Sequence, residues 1–174
     1  MSTATRSTPQ IRQVLRPGDL EAIVAHHRRI YGAEHRVDST FESHVAATVS
    51  RAAERGFPGP REAIRIVERD GTHAGSLALT EESDDVATLR WFVLDAELRG
   101  QGLGRRLLGE LMEAARRLGY RRISLETFSE LETAAHLYRS RGFRLRSEDS
   151  APRWGRERIT YQRYEAELGA ATSG

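Results

Sequence analysis

Leu20, Ile23, Val24, His27 and Ile30 recur three or four residues apart, the spacing of one face of a helix, and predict a helix over 19–31. Arg-Pro-Gly-Asp at 16–19 separates it from a short strand over 11–15, with Asp19 or a neighbour as its cap. Phe41, Val45 and Val49 mark a second helix over 39–56, which stops before Gly-Phe-Pro-Gly-Pro. Beyond that loop the pattern becomes strand-like. Runs at 63–68 and 74–80 flank Asp70-Gly71, a hairpin signal, and a turn at 81–85 leads into a long strand over 87–94. A helix over 102–118 is closed by Gly119, a strand spans 122–128, and a helix over 130–141 ends at Gly142. A strand at 143–147, a loop at 152–156 and a strand at 159–168 complete the order βααβββαβαββ. Strands that first meander and then alternate with helices imply an α/β (α+β) domain with a mixed central sheet of about seven strands and four helices. Residues 10–169 are expected to form one domain, with tails at 1–9 and 170–174.

Composition narrows the class. The chain has 174 residues, 39% hydrophobic and 30% charged, enough for one domain with a real core. No apolar run approaches the ~20 residues of a membrane span. The opening MSTATRSTPQ lacks the apolar segment of a secretion signal, so a cytoplasmic location is expected. With no cysteine, disulfides, thiolate metal sites and a cysteine nucleophile are excluded. The net charge is +2, and every basic residue of the Lys+Arg total of 27 is arginine. Basic and acidic residues alternate without a basic arm, which favours a solvated mixed-charge surface; neither nucleic acid nor membrane is expected as a partner. Of the six histidines, His26 and His27 are adjacent, His35 and His44 lack an i,i+4 ligand, and His136, two residues from Tyr138, is expected to face elsewhere. No metal is expected.

One stretch calls for chemistry. LRGQGLG, residues 98–104, sits between the strand ending at 94 and the helix over 102–118. Unpaired N–H groups at a helix N-terminus bind anions, and glycines let the backbone close on a phosphate without a Cβ in the way. The dinucleotide fingerprint fails, because Arg105 stands where its third glycine belongs, and the P-loop fails for want of lysine. On these grounds alone the turn is either a pyrophosphate cradle or a tight turn with no ligand.

Arg99-x-x-Gly102-x-Gly104 resembles the acetyl-CoA signature of the GCN5-related N-acetyltransferases (GNAT). WFVLDAELRGQGLG over 91–104 resembles that family's fourth strand and pyrophosphate loop, SLET at 124–127 its fifth strand, and AAHLYxxxGF at 134–143 its next helix and turn. RPGDL, AARRLGYRRISLET and YEAEL look most like the domains fused behind MarR-type regulators, although no regulator domain is expected ahead of this one. The resemblance implies the GNAT fold and an acetyl-CoA-dependent N-acetyltransferase, without a metal, acting on a small-molecule or peptide primary amine by direct attack in a ternary complex. It leaves a homodimer open. The alternative is a CoA-responsive binding module without turnover.

The same resemblance assigns roles. Backbone amides of Gly100, Gln101, Gly102, Leu103, Gly104 and Arg105, with Arg99 opening the motif, would hold the pyrophosphate. Backbone groups of Phe92 and Leu94 would pair with the pantetheine arm, and Leu94 N–H would meet the thioester oxygen. Tyr138 would be the acid and Glu126, twelve residues earlier, the base; Tyr31, Glu34 and His35, between the first two helices, would border the acceptor pocket. Read as residues alone, Tyr138 is equally a core tyrosine beside Leu137 and Phe143. Glu126 is equally a sheet glutamate paired to Arg90, with Glu81 and Glu82 as bases through water. The chain departs from many members at Leu131 (Asn there), Ala96 (Pro there) and Thr88 (a carboxylate there).

Overall fold

A seven-stranded sheet in the order β1-β2-β3-β4-β5-β7-β6 forms the centre of the computed structural model, which describes residues 7–169. The elements follow the expected order: β1 (Gln10–Arg12), α1 (Asp19–His35), α2 (Ser39–Glu54), β2 (Ala63–Arg69), β3 (Thr72–Glu81), β4 (Val86–Leu94), α3 (Leu103–Arg117), β5 (Arg122–Phe128), α4 (Glu132–Ser140), β6 (Arg144–Arg153) and β7 (Arg156–Glu167). A 3-10 turn, Ala96–Leu98, joins β4 to the glycine-rich stretch. Of the expected tails, residues 1–6 and 170–174 lie outside the described residues. No described helix is long and apolar enough to cross a membrane.

The two faces of the sheet bury separate apolar clusters. Ile23 of α1 and Phe41, Val45 and Val49 of α2 pack with Ile64, Ile66 and Ala78. On the other face Leu107, Leu108 and Leu111 of α3 and Tyr138 of α4 pack with Leu79, Leu89 and Leu125. Alternation along each strand supplies one set to each face.

Several boundaries differ from expectation. β1 stops at Arg12, whose guanidinium is taken by Asp19 at 2.7 Å and Glu68 at 2.6 Å. Gly18, with φ 89°, is the N-cap of α1, and the Asp19 carboxylate accepts from Arg16 N–H instead. α1 runs on past Tyr31 to His35, so Tyr31, Glu34 and His35 lie in its last turns and not in a loop. It ends at Arg36, whose φ of 56° is left-handed. α4 begins at Glu132, two residues later than expected. β6 continues through Pro152 to Arg153, and only Trp154 and Gly155 separate it from β7.

Two irregularities in β4 shape everything near it. Ala78 pairs with Arg90 but Ser76 with Val93, so Trp91 and Phe92 together oppose Leu77. Trp91 has φ 56°, and its indole N–H donates to Thr48 Oγ1 at 3.0 Å, which ties this bulge to α2. β4 and β5, the parallel pair, are joined from Val86–Arg122 only as far as Leu89–Leu125. Beyond that the strands part.

α1 also carries a buried titratable group. His27 Nδ1 donates to Ile23 O at 2.8 Å, and burial pushes its pKa down to about 4. The unfolded chain takes up this proton near pH ~6.5, so it binds more protons than the native state between there and about 4, and stability falls as pH drops through that window. Urea unfolding of His27→Gln should show a slope flattened by up to one proton, about 1.4 kcal/mol per pH unit. An unaltered slope would mean His27 protonates freely in the fold.

Candidate active site

Where β4 and β5 part, backbone groups face a gap. Asp95 N–H donates to Ala74 O at 2.9 Å, which makes Asp95 and Ala74 a hydrogen-bonded pair across β3 and β4. In an antiparallel ladder such pairs alternate, so the N–H and C=O of Leu94, opposite Gly75, turn away from β3 toward the gap, and those of Phe92 turn with them. The gap opens into a cavity of about 560 Å³.

At one end of this cavity lies the turn that begins α3. Gly100 (φ 73°) and Gly102 (φ 81°) take left-handed conformations, Gly102 is the N-cap, and a Cβ built on either would meet nothing within 4 Å. The turn is open, and the first amides of a 15-residue helix stand behind it. Gly100, Gly102, Gly104 and Arg105 line the cavity; Gln101 and Leu103 do not. The Gln101 carboxamide donates to Glu97 O at 2.8 Å and the Leu103 side chain packs on the α3-side core, so both offer the turn only their backbones.

Arg99 also borders the cavity, but its guanidinium is already committed. Nε and Nη2 donate to Leu94 O at 3.1 and 3.0 Å, and Nη1 donates to Glu34 Oε2 at 2.8 Å. One side chain thereby fixes the end of β4 to the end of α1.

Tyr138 and Glu126 reach the cavity from opposite faces of the sheet. Tyr138 is buried with Phe143 and Tyr164, at ring-centroid distances of 5.9 and 6.3 Å, so the core reading of this tyrosine holds as packing. Its hydroxyl has no hydrogen-bond partner among the described residues, and burial pushes the phenol well above its usual range. It stays protonated at neutral pH. Leu125 packs on the α3 side, so Glu126 points to the α1–α2 side by alternation and lines the cavity there. Its Oε2 accepts from Tyr161 OH at 3.2 Å. Arg90, the partner that a structural ion pair would need, donates instead to Thr80 Oγ1 at 3.2 Å.

Glu81 and Glu82 lie away from the cavity. Glu81 pairs with Arg61 at 2.7 Å, while Glu82 accepts from Thr88, from Ser124 at 2.8 Å and from Arg163 at 2.9 Å. The hydrogen bonds hold the Glu82 carboxyl below its ordinary value against its burial. Tyr31, Glu34 and His35 do line the cavity. So does His136, contrary to its expected orientation. Among the described residues no group of three His, Cys, Asp or Glu could hold a metal ion.

A model of the acetyltransferase (GNAT) family matches residues 21–143, well over half of the chain, spanning the parted strands and the open turn. The chain belongs to that family. An uncharacterized N-acetyltransferase of Escherichia coli K12, YjgM, is 34% identical over 90 residues, which is 50% of this chain and 54% of that relative; the match spans about half of the relative's length. Among solved structures, a GNAT-family acetyltransferase of Streptococcus pneumoniae superposes with a TM-score of 0.69 at 20% identity, over 93% of this chain and all of the other. The yncA protein of Salmonella typhimurium, described with its cofactor acetyl-CoA, superposes with a TM-score of 0.67 at 18% identity, over 97% and 98% of the two chains. These likenesses show the fold.

This GNAT chain holds site features that its sequence did not disclose. Phe128, Trp154, Tyr161 and His44 join Phe41 around the α1–α2 side of the cavity. Eight of the twelve Phe, Tyr and Trp residues line it, a concentration visible only once strands and helices distant in sequence are brought together. Burial holds the His44 imidazole below its ordinary pKa, so it is neutral near pH 7.

Proposed function

We propose that this GNAT protein transfers an acetyl group from acetyl-CoA to the primary amine of a small molecule or peptide, in a ternary complex. The observation that carries this reading is the gap between β4 and β5. It leads from an open glycine turn at a helix N-terminus to a protonated buried tyrosine on one face and a carboxylate on the other.

These residues fit the cofactor. Amides from Gly100 to Arg105 would hold the pyrophosphate, because the positive-φ glycines leave room for phosphate oxygens where other residues would place a Cβ. Backbone groups of Phe92 and Leu94 would pair with the pantetheine arm as a neighbouring strand does. Bound acetyl-CoA supplies the activated acetyl thioester. Leu94 N–H would donate to the oxygen on which charge develops, held in place by the Arg99 grip on the same residue's carbonyl. Tyr138 hydroxyl would deliver a proton to the departing sulfur, and Glu126 would take one from the attacking amine. The likeness of RPGDL, AARRLGYRRISLET and YEAEL to domains fused behind MarR-type regulators belongs to this proposal and rests on those stretches alone.

Thermal unfolding tests the cradle. Acetyl-CoA at 100 times its Kd should add about 2.7 kcal/mol, a shift of several degrees, while NADH and ATP do little. Gly102→Val should abolish the acetyl-CoA shift: valine is strained at φ 81° and its branches enter the open turn. Equal shifts from all three nucleotides, or an undiminished shift in a folded Gly102→Val protein, would place the phosphate elsewhere. Release of free CoA thiol with a panel of amines separates an enzyme from a binding module without turnover.

A further inference from the structure

The acceptor side of the cavity carries an aromatic wall that acetyl transfer by itself does not require. Tyr31 stacks on Phe41 with ring centroids 4.8 Å apart. Trp154 stands edge-on to Phe41 at 4.9 Å, and lies 5.9 Å from both Phe128 and Tyr161. His44 tilts against the same indole at 5.5 Å.

Trp154 is held there against local preference. It has φ 51°, a left-handed conformation that bulky residues avoid. Its carbonyl accepts from Asp38 N–H at 2.9 Å, and Gly155 sits so close that an added Cβ would lie 2.6 Å from Asp38 Oδ2. The turn between β6 and β7 is thus locked onto the start of α2. Backbone strain of this kind persists only where the surroundings over-determine it, and it clusters at ligand clamps.

Two of the carboxylates around this wall are already neutralised. Glu34 is paired with Arg99 and Glu130 with Arg156, at 2.8 and 2.6 Å. Arg90 lines the cavity without a carboxylate partner among the described residues, while Arg153, 5.3 Å from the centroid of the Tyr161 ring, is paired with Asp149 at 2.7 Å. Glu126 and Glu132 line the cavity without an arginine partner among the described residues; of the two it is Glu126 that lies within the wall, beside Tyr161, while Glu132 stands at the start of α4.

We infer that the acceptor is a primary amine carried on a flat aromatic body, an arylalkylamine, with its ring against Trp154 and its amine toward Glu126. Trp154 is the residue that sets this preference. The inference rests on the acetyl-transfer reading above for the amine's fate, but the aromatic slot itself is a matter of binding. Rings on rings give selectivity through offset and edge-to-face contact, and the ammonium gains from the same π faces.

Equilibrium binding to the CoA-saturated protein decides it, using phenethylamine, tryptamine, n-hexylamine and spermidine as probes. The aromatic amines should bind at least tenfold more tightly than hexylamine or spermidine. Trp154→Asn removes the ring with a residue that tolerates left-handed backbone, and should weaken aromatic amines at least tenfold while leaving hexylamine and the acetyl-CoA thermal shift unchanged. Trp154→Phe should lose less than threefold. In turnover the Trp154→Asn defect should lie in KM and not in kcat. Hexylamine or spermidine binding as tightly as the aromatic amines would overturn the inference, as would Trp154→Asn binding them undiminished. The wild-type comparison alone decides the matter if Trp154→Asn fails to fold. Aromatic amines bound by a protein that ignores acetyl-CoA would overturn the acetyl-transfer reading and leave the slot standing.

Discussion

Turnover of Tyr138→Phe should fall by about 100-fold, the usual scale for a positioned acid, while acetyl-CoA still protects the protein against heat. The substitution keeps the ring and its contacts with Phe143 and Tyr164, and removes only a hydroxyl that no described protein group engages. A tyrosine present for packing alone would lose almost nothing. The sign of its pKa displacement adds a second check. Burial favours the neutral phenol, so the proton to be donated is retained past the ordinary tyrosine value of about 10, and wild-type rates should show no alkaline loss from this group up to pH 9.5. Wild-type turnover in Tyr138→Phe would return the residue to the core.

The second large effect concerns Glu126→Gln. At pH 7 an amine of pKa ~10 is almost wholly protonated, so losing the group that takes its proton should cost about 100-fold. The defect should shrink steadily toward pH 9.5, because the amine then deprotonates unaided. Glutamine keeps an oxygen for the Tyr161 hydroxyl at 3.2 Å, so the aromatic wall should hold its shape. Steady-state rates from pH 6 to 9.5 check this. A pH-independent defect would deny Glu126 the base role and turn attention to His44, neutral near pH 7 and lining the same cavity.

The order of all eleven helices and strands was legible because most elements announce themselves in short range. Strand-like runs with turns between them over β2 to β4, glycines after α3 and α4, and a proline-rich loop after α2 are local signals, and they suffice. The pattern predicts β6 only as far as Ser147 because it is an exposed edge strand: its residues are mostly polar, it shows no apolar alternation, and Pro152, which has no N–H to give, is tolerated where no further strand pairs. α1 outruns the predicted end at Tyr31 because its true end is set by Arg36 turning left-handed, which no residue type nearby foretells. The open glycine turn at one end of the cavity was legible from Arg99 to Gly104, since such a turn is built from consecutive residues. The aromatic wall was not. Trp154 reaches Phe41 across more than a hundred residues, and nothing in either neighbourhood says that a hairpin turn will dock on α2.

The bulge at Trp91 gives β4 two halves in opposite phase. Before it, Ala87 and Leu89 point into the α3 core; after it, Phe92 and Leu94 do, so odd positions hand over to even ones within a single strand. Hydrogen bonding shifts with the side chains, and only the shifted half turns the Leu94 amide toward the gap. Deleting Trp91 would remove the extra residue and restore an unbroken alternation, with Phe92 opposite Leu77 and with Val93 and Leu94 keeping their partners and faces. What the extra residue adds is an indole on the α1–α2 side, whose N–H pins the middle of β4 to Thr48 just where the strand leaves β5.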